Sequence, residues 1–381
     1  MSMSEYRLDE LCEILDSKRV PLSAMQRAKR QGPYPYYGAQ SIIDYVDDYL
    51  LDGDFLLVAE DGANLVTRTQ DIANLVKGKI WVNNHAHILG YNGKCPLQLL
   101  GYILNHSNIS PYVTGCAQPK LNQDNLRRII IKLPEKVDEV SSFLSSLDDK
   151  IAVNKKICEN LEAQAQALFK HWFVDFAPFK DGKFVESELG MIPEGWKVGM
   201  LSDVLDLIKE TTNQGERPEL PYLPIDSIPM NSFLLNEVKD NSEAQSSLLL
   251  FKKDDILVGA MRVYFHRVVP APFDGITRST CFVLRPKCDE YFSFALCVAN
   301  SNDAIRYAQK SSKGSTMPYA VWDGGLGSYC ILIPPKTILK NFNILLKNDI
   351  NLIQNMYFEN NRLATLRDTL LPKLMSGQIK V

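Results

Sequence analysis

The sequence predicts an α+β protein in which two repeated α+β units are joined by two long helices that pair with each other as an antiparallel coiled coil. Three features carry this: a long apolar seam in mid-chain, a second seam near the end, and short fragments that occur once ahead of each seam. The first seam alternates steps of four and three through Val140, Leu144, Leu147, Ile151, Leu161, Ala165, Leu168 and Trp172, with Asn154 and Cys158 as its departures. Globular helices seldom hold such a pattern much past about 25 residues without a partner helix. The second seam, Phe342, Leu346, Asp349, Ile353, Met356, Asn360, Leu363, Arg367, Leu370 and Leu374, supplies that partner. Asn154 and Asn360 are expected to cost stability and to fix one register of pairing.

The fragments define the repeat. Leu8-Asp-Glu-Leu11 returns as Leu201-Ser-Asp-Val204, Gly53-Asp-Phe-Leu-Leu-Val58 as Asp254-Asp-Ile-Leu-Val-Gly259, and Gly115-Cys-Ala-Gln-Pro119 as Gly314-Ser-Thr-Met-Pro318. The predicted parts are therefore a first unit over 1–134, a central helix over 135–176, a linker over 177–195, a second unit over 196–335, and a C-terminal helix and tail over 336–381. Strands are expected at 55–59, 79–82, 129–133, 256–258, 281–284 and 329–333, and helices at 97–105 and 291–298. The linker assignment rests on Pro178, Gly182, Gly190, Pro193 and Gly195.

At 381 residues, with 45% hydrophobic and 23% charged residues, the chain is long enough for two or three folded domains. No apolar run reaches the roughly eighteen residues of a membrane span, and the first ten residues hold no hydrophobic signal core, so a cytoplasmic protein is expected. The cysteines are scattered without CxxC spacing and read as buried free thiols. A net charge of −3 means that any nucleic-acid footprint has to be local.

No catalytic constellation stands out. A phosphate-binding Gly-x-x-x-x-Gly-Lys-Ser/Thr loop is missing, Gly90-Tyr-Asn-Gly93-Lys94 being too short, and so is the Asn/Asp-Pro-Pro-Tyr/Phe motif of amino-methyltransferases. His85-Ala-His87 has the spacing of a metal pair on one strand face, but lacks a third ligand nearby; hydrogen-bonded structural histidines are the simpler reading. The acidic run Asp44, Asp47, Asp48, Asp52, Asp54 reads as a solvated face.

The basic residues cluster with aromatics. Residues 17–30 contain Lys18, Arg19, Arg27, Lys29 and Arg30 and no acid, and Tyr34, Tyr36, Tyr37 and Gly38 follow at once. Arg262, Tyr264, His266, Arg267 and Arg278 repeat the mixture in the second half. Cations suit phosphates, and flat or hydrogen-bonding groups suit bases. The two Gly/Pro segments offer Gln118, Lys120 and Asn122 in one unit and Ser315, Thr316 and Tyr319 in the other. Two readings stand open for them, a DNA contact and a structural turn ahead of a core strand.

Leu147-Asp-Asp-Lys-Ile151, Asn154, Ile157, Leu161-Glu162, Ala167-Leu-Phe169-Lys-His-Trp-Phe-Val-Asp-Phe176 and Ile192-Pro-Glu-Gly-Trp196-Lys197 together resemble the central region of a type I restriction-modification specificity subunit. The ending Leu363-Ala-Thr-Leu-Arg-Asp-Thr-Leu-Leu-Pro372-Lys-Leu-Met-Ser-Gly377 resembles the same family's C-terminal region, and Tyr34-Pro-Tyr-Tyr-Gly38 with Ile42-Ile-Asp44-Tyr45 resembles one of its recurring segments. Pro134-Glu-Lys-Val-Asp-Glu139 departs from the proline-rich stretch ending in Glu-Gln that family members usually carry there. The resemblance implies that each unit is a target-recognition domain reading half of a split site in double-stranded DNA. It also implies that the helices space the two halves and dock two methyltransferase subunits, with motor-nuclease subunits joining for restriction. Methyl transfer from S-adenosylmethionine to adenine N6 would belong to the partners, leaving this chain non-catalytic and without a cofactor. Phe169, Trp172, Phe173 and Phe176 gather more apolar area than one seam needs and are expected to face a partner, or else to cap the helix pair or pack on the linker. The rival reading is a coiled-coil DNA-binding scaffold or regulator that recruits no methyltransferase.

Overall fold

The computed structural model describes residues 4–115, 117–245, 247–376 and 378–379. It divides into two compact units, Met1–Lys150 with Leu363–Val381, and Ile151–Arg362, so the boundary crosses both long helices. Among the described residues no helix is long and apolar enough to cross a membrane.

The first unit opens on the strand Ser4–Arg7, which runs antiparallel to Ile130–Leu133 with Tyr6 opposite Ile131. Pro134, unable to donate to a ladder, follows directly on that closing strand. Between the two lies a six-stranded sheet in the order Cys12–Ile14, Ala86–Tyr91, Leu51–Ala59, Ala73–Val82, Tyr34–Tyr37, Ile42–Val46. Neighbours are antiparallel except Tyr34–Tyr37 beside Ala73–Val82, which are parallel. The apolar run at 55–59 is explained by burial on both faces. Leu56 and Val58 pack with Leu99, Leu100 and Leu104 of the helix Leu97–His106, and Leu57 packs with Val76, Ile80 and Ile88.

The second unit begins in the same way. Lys197–Met200 pairs antiparallel with Cys330–Ile333, Val198 opposite Leu332, and the short helix Leu201–Val204 follows as Leu8–Leu11 does in the first unit. Its main sheet is ordered Leu205–Ile208, Cys281–Pro286, Ile256–Gly259, Val268–Pro270, all antiparallel. These four strands match the first four of the other sheet in order and direction. The sheets then diverge. Ala73–Val82 is long enough to pair on both edges, whereas Val268–Pro270 runs into Pro270-Ala-Pro272 and pairs on one edge only. A separate three-stranded sheet, Thr211–Thr212, Leu248–Phe251 and Gly275–Arg278, stands in the second unit instead. The helices Phe292–Ala299 and Asn302–Lys310 complete it.

The first long helix runs Val137–Phe169, shorter than the seam suggested, and passes into a π-helical turn, Lys170–Val174, before Phe176 takes a left-handed conformation at φ 51°. The second runs Lys336–Met375. In the second unit Asn154, Cys158 and Ala165 of the first helix are buried, as are Phe342, Leu346, Ile350, Ile353 and Met356 of the second; in the first unit Val140, Leu144, Leu371 and Leu374 are. The expected seam is corrected at Asp349, where Ile350 lies in the core instead; near its end Leu370 packs partly buried on the core beside the buried Leu371. At about 3.6 residues per turn a step of three or of four returns to the same face, so the apolar Ile350, four residues after Leu346 and three before Ile353, takes the place of Asp349.

The stretch expected as a linker carries a hairpin, Phe184–Ser187 with Gly190–Pro193, and Ile192 is buried. Cys12 and Cys297 are buried thiols, and desolvation pushes both up to about 12. Cys116 lies outside the described residues.

Candidate nucleic-acid interface

In the first unit three chain segments meet beyond the end of Leu51–Ala59. Thr114 and Lys120 exchange both backbone hydrogen bonds, at 2.8 and 2.7 Å, at the base of a loop that carries Gly115, Gln118 and Pro119. Gly115 sits at φ +86°, and a Cβ there would lie 2.4 Å from the Gln118 carbonyl oxygen, so only glycine fits. Gly62 N donates to Pro119 O, Leu121 N to Glu60 O, and Glu60 N to His85 O, which ties the loop to residues 60–62 and 83–86.

The second unit rebuilds this arrangement. Lys313 and Tyr319 exchange backbone bonds at 2.8 and 2.8 Å over a loop that starts at Gly314, φ +89°. Arg262 N donates to Pro318 O, Ala320 N to Ala260 O and Ala260 N to Thr280 O, the counterparts of the three ties above. The Tyr319 hydroxyl adds a bond to Ser279 O at 2.6 Å. The repeated Gly/Pro segments are thus turns fixed by backbone bonding, and they also carry exposed side chains: Gln118 near the tip and Lys120 at the base in one unit, Ser315 and Thr316 in the other.

Beneath the first loop lies a charged network that sequence reasoning missed. Asp16 is buried; its carboxylate faces His87 Nδ1 at 2.6 Å and accepts from Ile88 N at 2.9 Å and Gln123 Nε2 at 3.1 Å. Burial opposes its ionisation, but the bonds from His87 and Ile88 and the nearby Arg19 outweigh burial and hold its pKa below the usual carboxylate range. Glu60 behaves alike, its desolvation outweighed by Arg19 at 2.5 Å, by His87 and by Lys120 at 3.2 Å. His87 Nε2 lies 2.7 Å from Leu121 O, and His85 pairs with Asp61 at 2.7 Å. Both histidines are therefore engaged by their own unit, and among the described residues no group of three or more His, Cys, Asp or Glu is placed to hold a metal. These partners lie far apart in sequence, and only the acid-free stretch around Arg19 hinted at them.

Other expected contact residues divide into engaged and open ones. Arg19 also donates to Ala86 O; Arg267 donates to Ile225 O at 2.9 Å and to Ile228 O. Asn122 caps the helix Gln123–Arg127 by accepting from Asn125 N, and the buried Tyr36 hydroxyl accepts from Leu22 N at 2.8 Å. These side chains hold the unit together, a use that residue type alone does not reveal. Tyr34 packs on Tyr49 and Lys79, Tyr37 is half-buried, and Gly38 N donates to Ser41 O in a turn. Lys18 and Tyr264 are exposed, and Arg262 is half-exposed.

The aromatic group at the end of the first long helix packs within the second unit. Phe173 is buried against Phe342, Phe294 and Trp196, with ring centroids 4.7, 5.0 and 5.8 Å away. Phe169 meets Phe173, Trp172 meets Phe342, and Phe176 meets Trp196; these three remain partly accessible.

The family model described as the type I restriction modification DNA specificity domain matches residues 2–163 and 193–361, one match for each occurrence of the shared sheet and loop cluster. The chain belongs to this family. It is 29% identical over 312 residues to the type I restriction enzyme MjaIX specificity subunit of Methanocaldococcus jannaschii, covering 74% of this chain and 69% of that protein. It is also 35% identical over 127 residues to a putative type I restriction enzyme specificity subunit, S.HindORF215P, of Haemophilus influenzae, covering 33% and 32% of the two chains. In fold it is similar to the crystal structure of a type I restriction-modification S subunit from M. genitalium, with a TM-score of 0.58, 13% identity and coverage of 98% and 96%. As a type I specificity chain it serves DNA recognition in a restriction-modification system. In the doubled loop cluster of this specificity chain the backbone frame is constant and the side chains differ between the two halves.

Proposed function

We propose that each unit reads one half of a bipartite site in double-stranded DNA, with recognition domains over 1–134 and 196–335. The observation that carries this reading is the duplicated three-segment cluster, built by the same backbone bonds and tipped by different side chains. Lys18, Gln118, Lys120, Arg262, Tyr264, Ser315 and Thr316 are the accessible residues we assign to phosphates and bases.

The two long helices pair as an antiparallel coiled coil that spaces the half-sites. Support comes from contacts in which numbers rise on one helix as they fall on the other. In the second unit Asn154 meets Asn360, Cys158 meets Met356 and Phe173 meets Phe342; in the first, Asp148 meets Arg367. The helices dock two methyltransferase subunits, which use S-adenosylmethionine to methylate adenine N6, and motor-nuclease subunits join for restriction. Phe169, Trp172 and Phe176 are the aromatics left partly open for such docking.

The test is co-expression with the methyltransferase subunit, followed by purification and mapping of N6-methyladenine. A stable complex that methylates a split sequence, with no transfer by this chain alone, is expected. Failure to copurify any methyltransferase would favour a scaffold without such a partner.

A further inference from the structure

The two loop clusters share a frame but not a charge. Residues 60–64, 83–86 and 114–121 include Glu60 and Asp61, and the cations beside them, Arg19 and Lys120, are bound to Glu60. Residues 260–264, 278–281 and 313–320 include Arg262, Arg278 and Lys313 and no carboxylate. Where the first unit has Gly62, at φ +117°, the second has Arg262, at φ 51° and ψ 55°. An arginine thus occupies left-handed backbone that glycine adopts without cost, and such exceptions gather at functional positions.

The backbone of Arg262 is held on both sides, its N donating to Pro318 O at 2.8 Å and its O accepting from Phe265 N at 2.9 Å. This fixes its Cα between the 313–320 loop and the turn that carries Ser279 and Thr280, to which Met261 N donates. Among the described residues the guanidinium has no carboxylate or carbonyl partner, unlike Arg267 five residues on, which is bound to main-chain oxygens. A phosphate can be met by a mobile point charge, which Lys313 supplies at an exposed position, while the exposed Arg278 is held at the end of the strand Gly275–Arg278. A planar fork on a fixed backbone suits a two-point acceptor, and among the base edges of the major groove that acceptor is guanine, through O6 and N7.

We infer that Arg262 is a specificity-determining residue that reads a guanine in the half-site of the second unit. This rests on the reading that each unit recognises one half-site.

The test compares the wild-type complex with Arg262→Gly and Arg262→Lys. Glycine suits the left-handed backbone, so Arg262→Gly removes the side chain without unfolding the loop, and thermal unfolding checks that. N6-methyladenine is mapped for each complex, and binding is measured on duplexes with each guanine of the mapped half-site replaced by adenine or 7-deazaguanine. For the wild type, one guanine should matter by roughly tenfold to a hundredfold. Arg262→Gly should lose that discrimination at this position alone, and Arg262→Lys, which keeps the charge without the fork, should lose most of it. Equal weakening on all sequences with an unchanged consensus would make Arg262 a phosphate contact and overturn the inference. So would a bipartite site whose second half shows no guanine dependence on Arg262, with the half-site reading left intact. A wild-type site that is not bipartite would overturn the underlying reading as well.

Discussion

Asn154 Nδ2 donates to Asn360 Oδ1 at 2.9 Å inside the second unit, and the same amide reaches Glu359 Oε2 at 2.9 Å. Asn154 is fully buried, and among the described residues its own Oδ1 has no hydrogen-bond partner. An amide pair in an apolar seam is less stabilising than two leucines, but a slipped register would strand both amides, so the pair selects one alignment. Asn154→Leu alone should cost roughly 1–3 kcal/mol by leaving Asn360 unpaired. Asn154→Leu with Asn360→Leu should restore wild-type stability or exceed it. Thermal unfolding of the three proteins checks this; a double variant no better than the single one would show that the pair does not trade stability for register.

Glu162 gives the second unit a pH dependence. Its carboxylate is buried and accepts from Ser232 Oγ at 2.9 Å and Phe233 N at 2.8 Å, fastening that loop to the first long helix. Desolvation raises its pKa, and the bonds from Phe233 and Ser232 only partly offset this. With the folded value above the unfolded one, the contribution is fully present below about pH 4, near the unfolded glutamate value, and is lost as pH rises through the folded value. Glu162→Gln keeps the acceptor and cannot ionise. It should be more stable than wild type at pH 7 and show no gain near pH 4. Unfolding midpoints across that range measure it, and parallel pH profiles would refute it.

The two loop glycines should differ in sensitivity. Both lie at positive φ, but a Cβ at Gly115 would meet Gln118 O at 2.4 Å, against 3.2 Å between a Cβ at Gly314 and Met317 O. Gly115→Ala should therefore cost more than Gly314→Ala, each within roughly 1–3 kcal/mol. On the half-site reading, Gly115→Ala should impair recognition of the first half-site and Gly314→Ala of the second. Methylation of duplexes altered in one half at a time reports both effects.

The helices and the sheet core were legible because their signals are local and repeated. The seam through Val140, Leu144, Phe342 and Leu346, and the apolar runs at 55–59 and 256–258, have periods or densities that a reader can count. The hairpin at 184–193 and the strand Thr211–Thr212 were not legible, since segments of two to four residues are defined by the strand across from them. The loop clusters were half legible. Gly115 and Pro119 with Gly314 and Pro318 marked the turns, but nothing local showed that Arg19 is bound to Glu60 while Arg262 stands open. Whether an arginine is a clamp or a reader depends on residues remote in sequence.

That one chain holds two separable readers is tested by exchanging residues 196–335 for the matching segment of a relative with a different target. The assembled methyltransferase complex is then mapped for N6-methyladenine. One half-site should take the relative's sequence while the other stays as in the wild type. An active complex in which both half-sites change, or neither does, would contradict it.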